Sequence, residues 1–162
     1  MDMFQIDWWH QEVDKMQQGL NQGNVEYITT FYKNVSTAIS KVTYGMELKA
    51  NSAKKKLEEA KRNGASEKVL KMIERSGKPG QENIDRLAGL EELMTRFVSV
   101  QVKSLLVPIK EKRKEIANCK VNEQTIIELD ALSRLREELM SSPYYKEEQE
   151  EKSEKDVEPG QE

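Results

Sequence analysis

Cysteine and histidine are nearly absent from this chain. Cys119 is the only cysteine and His10 the only histidine among 162 residues. A lone cysteine excludes an intrachain disulfide and a cysteine-based zinc site within one chain. A lone histidine excludes a multi-histidine metal site. A catalytic histidine needs an oriented partner, and with no such arrangement signalled by the sequence His10 reads as an ordinary half-exposed position. Cys119 lies beside Lys120, which would favour a thiolate, but no base is near in sequence and the thiol reads as inert. Long apolar runs are missing too. No stretch approaches the roughly 18 residues that a membrane span requires, and the opening has no signal-like apolar core. Aromatic residues make up 6% and charged residues 34%, a balance that suits long amphipathic helices better than a sandwich or barrel. The turn Ser76-Gly77-Lys78-Pro79-Gly80 lacks the glycine–lysine spacing of a phosphate loop. The expectation is a cytoplasmic, non-enzymatic protein of one helical domain over residues 1–145, with no cofactor and no metal.

What is present is helical periodicity. Val25, Ile28, Tyr32, Val35, Ile39, Val42 and Met46 recur at alternating intervals of three and four, the pattern of a helix that buries one narrow stripe. Thr29, Thr30, Asn34, Ser36, Thr37, Ser40 and Thr43 fill most other positions and have modest helix propensity, so packing must stabilise the helix. The stripe needs a later helix or a second chain, and it is the expected core or dimer seam. Asn24 is placed to cap this helix, which runs to Arg62 and ends at Asn63-Gly64. Ser66 opens a short helical connector. A second long helix is expected over Ile84–Ile116, with Ile84, Leu87, Leu90, Met94, Phe97, Val98, Leu105 and Ile109 on a broad apolar face and a kink at Pro108. Asn122 caps a last helix carrying Ile126, Leu129, Leu132, Leu135 and Leu139.

The N-terminal stretch carries Phe4, Trp8 and Trp9, with Trp9, Val13, Met16 and Leu20 on one stripe. Its tryptophans either pack a short helix on the bundle or anchor an interface. Adjacent carboxylates such as Glu58-Glu59 and Glu91-Glu92 point about 100° apart on a helix and read as solvated faces.

Charge is unevenly distributed. Net charge is −3 over residues 1–48, +8 over 49–120, −3 over 121–145 and −5 over 146–162. The last stretch has too little apolar surface to offset the entropy of ordering and reads as a disordered acidic tail. The basic middle carries Lys54, Lys55, Lys56, Lys61, Arg62, Lys68, Lys71, Lys103, Lys110, Lys112, Arg113 and Lys114, the expected contacts for an anionic partner. Lys54 with Glu58 and Lys55 with Glu59 are spaced for local i,i+4 pairing instead. No aromatic residues interleave with these lysines, which argues against single-stranded nucleic acid.

Three features are similar to the BAR superfamily, most nearly its F-BAR domains. One is the opening Phe4, Trp8, Trp9, Val13 and Met16, leading to Gly23. Another is the helix Phe31-Tyr32-Lys33-Asn34-Val35-Ser36-Thr37-Ala38-Ile39, running on to Tyr44. The third is Val102-Lys103-Ser104-Leu105-Leu106-Val107-Pro108-Ile109, followed by Lys110-Glu111-Lys112-Arg113-Lys114. The likeness covers roughly residues 1–120. It implies an antiparallel helical dimer whose basic face binds anionic membrane. Together these readings predict an all-α fold, an elongated helical bundle of long amphipathic helices assembled as a homodimer. The expected function is peripheral membrane binding or shaping. The alternative is a helical adaptor or scaffold that binds protein partners through apolar faces and never touches lipid.

Overall fold

Side-chain caps and one proline set several of the helix boundaries in this protein. The structure is a computed structural model and describes residues 3–119 and 122–146; the acidic tail expected from residue 146 lies almost wholly outside them. Six helices account for the regular structure among the described residues, with no strand. They are α1 (Met3–Gln17), α2 (Val25–Arg62), α3 (Glu67–Ser76), α4 (Gln81–Ser104), α5 (Leu106–Ala117) and α6 (Glu123–Met140). The fold is all-α. No helix among these residues is long and apolar enough to cross a membrane.

The caps lie where short polar residues precede apolar periodicity. Asn24 Oδ1 accepts from the Tyr27 amide at 3.1 Å, Ser66 Oγ from the Val69 amide at 3.4 Å and Asn122 Oδ1 from the Thr125 amide at 2.8 Å. Each satisfies a backbone donor that the first helical turn leaves unpaired. At the end of α2 the Ala65 amide returns to the Ala60 carbonyl and the Gly64 amide to the Lys61 carbonyl. Gly64 holds φ +70°, the left-handed closure that glycine makes at little cost.

The expected second long helix is two helices. The break falls at Leu105, three residues before Pro108, because the proline ring conflicts with the carbonyl of Ser104 one turn earlier and offers it no N–H. Leu105 itself stays in a right-handed helical conformation, φ −66° and ψ −23°, so the helix is interrupted without the chain leaving helical space. Arg136 Nε of α6 donates to the Val102 carbonyl at 2.9 Å, placing a cation at the C-terminal end of α4, where it is favoured.

The described residues form two compact units. One is Val35–Glu91; the other joins residues 3–34 to 92–119 and 122–146. Helices α2 and α4 each contribute to both. In the second unit the core is aromatic at its centre. Phe97 is fully buried, stacks on Phe31 at 4.6 Å and lies 6.4 Å from Tyr32. Trp9 meets Phe31 edge-on at 6.2 Å. Ile6, Val13, Met16, Ile28, Leu93, Met94, Val98, Val102, Leu105, Ile109, Leu132, Leu135 and Leu139 complete it. Gln101 is buried there as well, four residues from both Phe97 and Leu105 and therefore on their face. The ring of Pro108 rests against Gly23, where any Cβ would lie 3.2 Å from it. In the first unit Val35, Ala38, Ala53 and Leu90 are buried.

Two polar clamps attach α1 to its neighbours. Arg96 Nη1 meets His10 Nδ1 at 3.2 Å and donates to the His10 carbonyl at 3.1 Å, while Nη2 pairs with the Asp14 carboxylate. Tyr27 Oη donates to Glu12 Oε2 at 2.9 Å. Burial, and then this carboxylate, push the Tyr27 phenol up to about 12. A phenol whose pKa is raised on folding stabilises the fold fully below its ordinary value near 10. That stability is lost as pH climbs through the folded value. Stability to urea is therefore expected to fall by on the order of 1–2 kcal/mol between about pH 10 and 12. Tyr27→Phe should flatten that part of the profile; an unchanged slope in the variant would place the loss elsewhere.

Candidate functional site

The two tryptophans of α1 part company. Trp9 is buried, while Trp8 is 55% exposed. The Phe4 side chain lies outside the described positions. Over the N-terminal half of α2 the buried positions are Ile28, Phe31, Val35 and Ala38, with Ala53 buried further along; the first four form a stripe turned roughly 40° around the helix from the one expected from the periodicity. Of the expected seam, Ile28 and Val35 are buried, and Val25, Tyr32, Ile39, Val42 and Met46 are half-buried. Phe31 moves into the centre because Phe97 and Trp9 meet it there. Tyr32 takes the edge, where its hydroxyl lies 3.0 Å from Ser142 Oγ.

The basic residues fall into both units. Lys54, Lys55, Lys56, Lys61, Arg62, Lys68 and Lys71 belong to the first, and Lys103, Lys110, Lys112, Arg113 and Lys114 to the second. Eleven of these twelve are exposed, and none of the eleven forms an ion pair with a described acid. The spacing of Lys54 with Glu58 and of Lys55 with Glu59 permits local pairs that do not form. On α2, Lys54 and Lys61 share a face two turns apart, as do Lys55 and Arg62.

Lys112 is the exception. Its Nζ lies 2.6 Å from a carboxylate oxygen of Glu128 on α6 and 3.9 Å from one of Glu115. The hydrogen bond between them raises the Lys112 pKa and lowers that of Glu128. Lys112 therefore joins α5 to α6, which pack together, and it is occupied within the fold.

Of the remaining cations in this set, three form a stripe and Arg113 stands beside it. Lys103, Val107, Lys110 and Lys114 follow one another at intervals of four, three and four, across the break at Leu105. Val107 is 46% exposed. Val107, Lys110, Glu111, Arg113 and Lys114 line a shallow groove along α5. Lys103 and Val107 also border a neighbouring depression with Gln17, Gln22, Ser99, Val100 and Ser104. The first unit has a cleft lined by Ala38, Lys41, Val42, Gly45, Asn83 and Arg86. Arg86 donates through Nη2 to Glu82 at 2.9 Å, and its buried Nε has no protein partner among the described residues. Among the described residues no group of three potential metal ligands converges. Cys119 is exposed, with φ +60°.

Arg75 belongs with the basic set as well, beyond the twelve residues expected from the sequence. It stands at the end of α3, seven residues after Lys68 and four after Lys71, and that spacing was the available signal. The fold and this surface define an all-α protein with clustered, unpaired cations on each of two helical units. Comparison with protein-family models, curated proteins and solved structures finds no match.

Proposed function

We propose that this protein is a non-enzymatic, peripheral module that binds anionic membrane surfaces through its basic helix faces, as a homodimer. The observation that carries the reading is the exposure of eleven cations without a described acid partner. Surface lysines with nearby acids usually form at least loose local pairs, and these leave their charge available to an external anion. Each cation near an anionic leaflet contributes on the order of 1 kcal/mol. Four or five presented together give about 4–5 kcal/mol, millimolar to sub-millimolar binding per chain. The half-buried Val25, Tyr32, Ile39, Val42 and Met46 support pairing of two copies, which would raise affinity through effective concentration.

The test is co-sedimentation with vesicles of phosphatidylcholine alone or mixed equally with phosphatidylserine, across a salt series. Binding is expected only to the anionic vesicles, falling steeply as salt rises. Equal binding to both compositions, or none, overturns the reading. A compact monomer in sedimentation equilibrium at high concentration removes the dimer.

A protein adaptor is the second reading, favoured by Ile126 and Ile127 standing together on α6 at 52% and 54% exposure. It predicts salt-insensitive capture of a partner and no affinity for vesicles.

A further inference from the structure

Helix α3 has no buried residue, which is unusual for a helix so strongly divided into apolar and charged sides. A ten-residue helix is marginal on its own, so it depends on what covers its apolar side. Within the first unit its C-terminal end is docked closely: a Cβ at Gly77 would lie 2.6 Å from the Ala53 Cβ. Leu70 and Ile73 are half-buried, but Val69 is 43% and Met72 63% exposed. At about 100° per residue, the order around the helix is informative. Met72 and Val69 lie along one edge with Ser76 between them in angle; Lys68, Arg75 and then Lys71 follow on the Met72 side, and half-buried Ile73 on the Val69 side. Glu67 and Glu74 lie beyond Lys71, on the side that borders Leu70. The exposed apolar edge therefore has cations as its charged neighbours, with only the small Ser76 hydroxyl among its polar groups besides them, and both acids turned away.

We infer that the Val69–Met72 edge of α3 inserts shallowly into an anionic bilayer, while Lys68, Lys71 and Arg75 remain at the headgroups. This rests on the membrane reading above and adds a salt-resistant component to it. Charge favours lipid over an apolar protein groove. Three cations beside two exposed apolar side chains match an interfacial helix, whose basic stems reach outward while the apolar edge enters the acyl boundary. A groove on a protein would need an acidic rim on that one edge.

Two measurements on the full chain decide it. In a Cys119→Ser background, Met72→Cys or Glu74→Cys carries an environment-sensitive nitrobenzoxadiazole dye. With equal-part phosphatidylcholine–phosphatidylserine vesicles, the dye at position 72 is expected to brighten and shift to the blue, and the dye at 74 to stay water-like. In unlabelled protein, Val69→Ser with Met72→Ser should leave helix content and low-salt binding largely intact. Binding that survives raised salt should weaken roughly tenfold. Salt-sensitive vesicle binding with a water-like dye at 72 overturns insertion and leaves the membrane reading standing. Absence of vesicle binding overturns both. A blue shift without vesicles that grows with protein concentration also overturns insertion and assigns the edge to a second copy of the chain.

Discussion

Phe97→Ala is expected to destabilise the protein by about 3–5 kcal/mol in urea unfolding. Phe97 is fully buried, and its ring touches Phe31 on α2 at 4.6 Å while Tyr32 lies at 6.4 Å. Removing it deletes apolar contact on both sides and leaves a cavity that the surrounding helices cannot close without moving their backbones. A domain typically holds about 5–15 kcal/mol in total, so this one change takes a large share. Phe31→Ala should be strongly destabilising too. The two together should cost less than the sum of the single changes, by about 0.5–1.5 kcal/mol, because the stacking term is lost only once. A loss below about 1 kcal/mol for Phe97→Ala would show that the aromatic cluster is not the centre of this core.

Replacing Lys110, Arg113 and Lys114 together with glutamine is expected to weaken binding to anionic vesicles by about 3 kcal/mol, on the order of 150-fold. The three are exposed on α5 and bind no described acid, so the fold should be indifferent to their loss. Lys112 must be left in place. It sits in the middle of the same basic run, but it holds Glu128 at 2.6 Å, and replacing it would loosen α5 from α6 and confound binding with stability. The salt dependence should become shallower in the triple variant, since fewer charges meet the surface. Unchanged affinity with unchanged salt dependence would exclude the basic face of α5 as a membrane contact. Unchanged helix content and urea midpoint serve as the internal control.

The value of sparing Lys112 illustrates how unevenly sequence and structure share the information. Twelve basic residues looked equivalent as charges along a chain. Glu128 lies sixteen residues beyond Lys112, across the turn between α5 and α6, and no i,i+4 rule reaches that far. Arg75 was legible by its spacing from Lys68 and Lys71, but its worth depended on Val69 and Met72 being left uncovered, which spacing does not show. The proline break was legible as a kink, and its position at Leu105 follows from the same steric conflict once the carbonyl one turn back is considered.

The residues alone make legible the all-α class, the caps at Asn24 and Asn122, the opening of α3 at Ser66, the stop at Gly64 and an interruption near Pro108, though not that it divides the expected helix in two. Each depends on hydrogen bonds or steric conflicts within a few residues, so local chemistry decides it. Packing of helix against helix settles that Phe31 rather than Tyr32 lies at the centre of the core, that Arg96 holds His10 and Asp14, and that Lys112 is occupied while Lys110, Arg113 and Lys114 are free. Those choices are made by which helix face meets which. Helical periodicity places a stripe only to within a fraction of a turn, and the partner of a side chain across two packed helices leaves no mark on the spacing of either one.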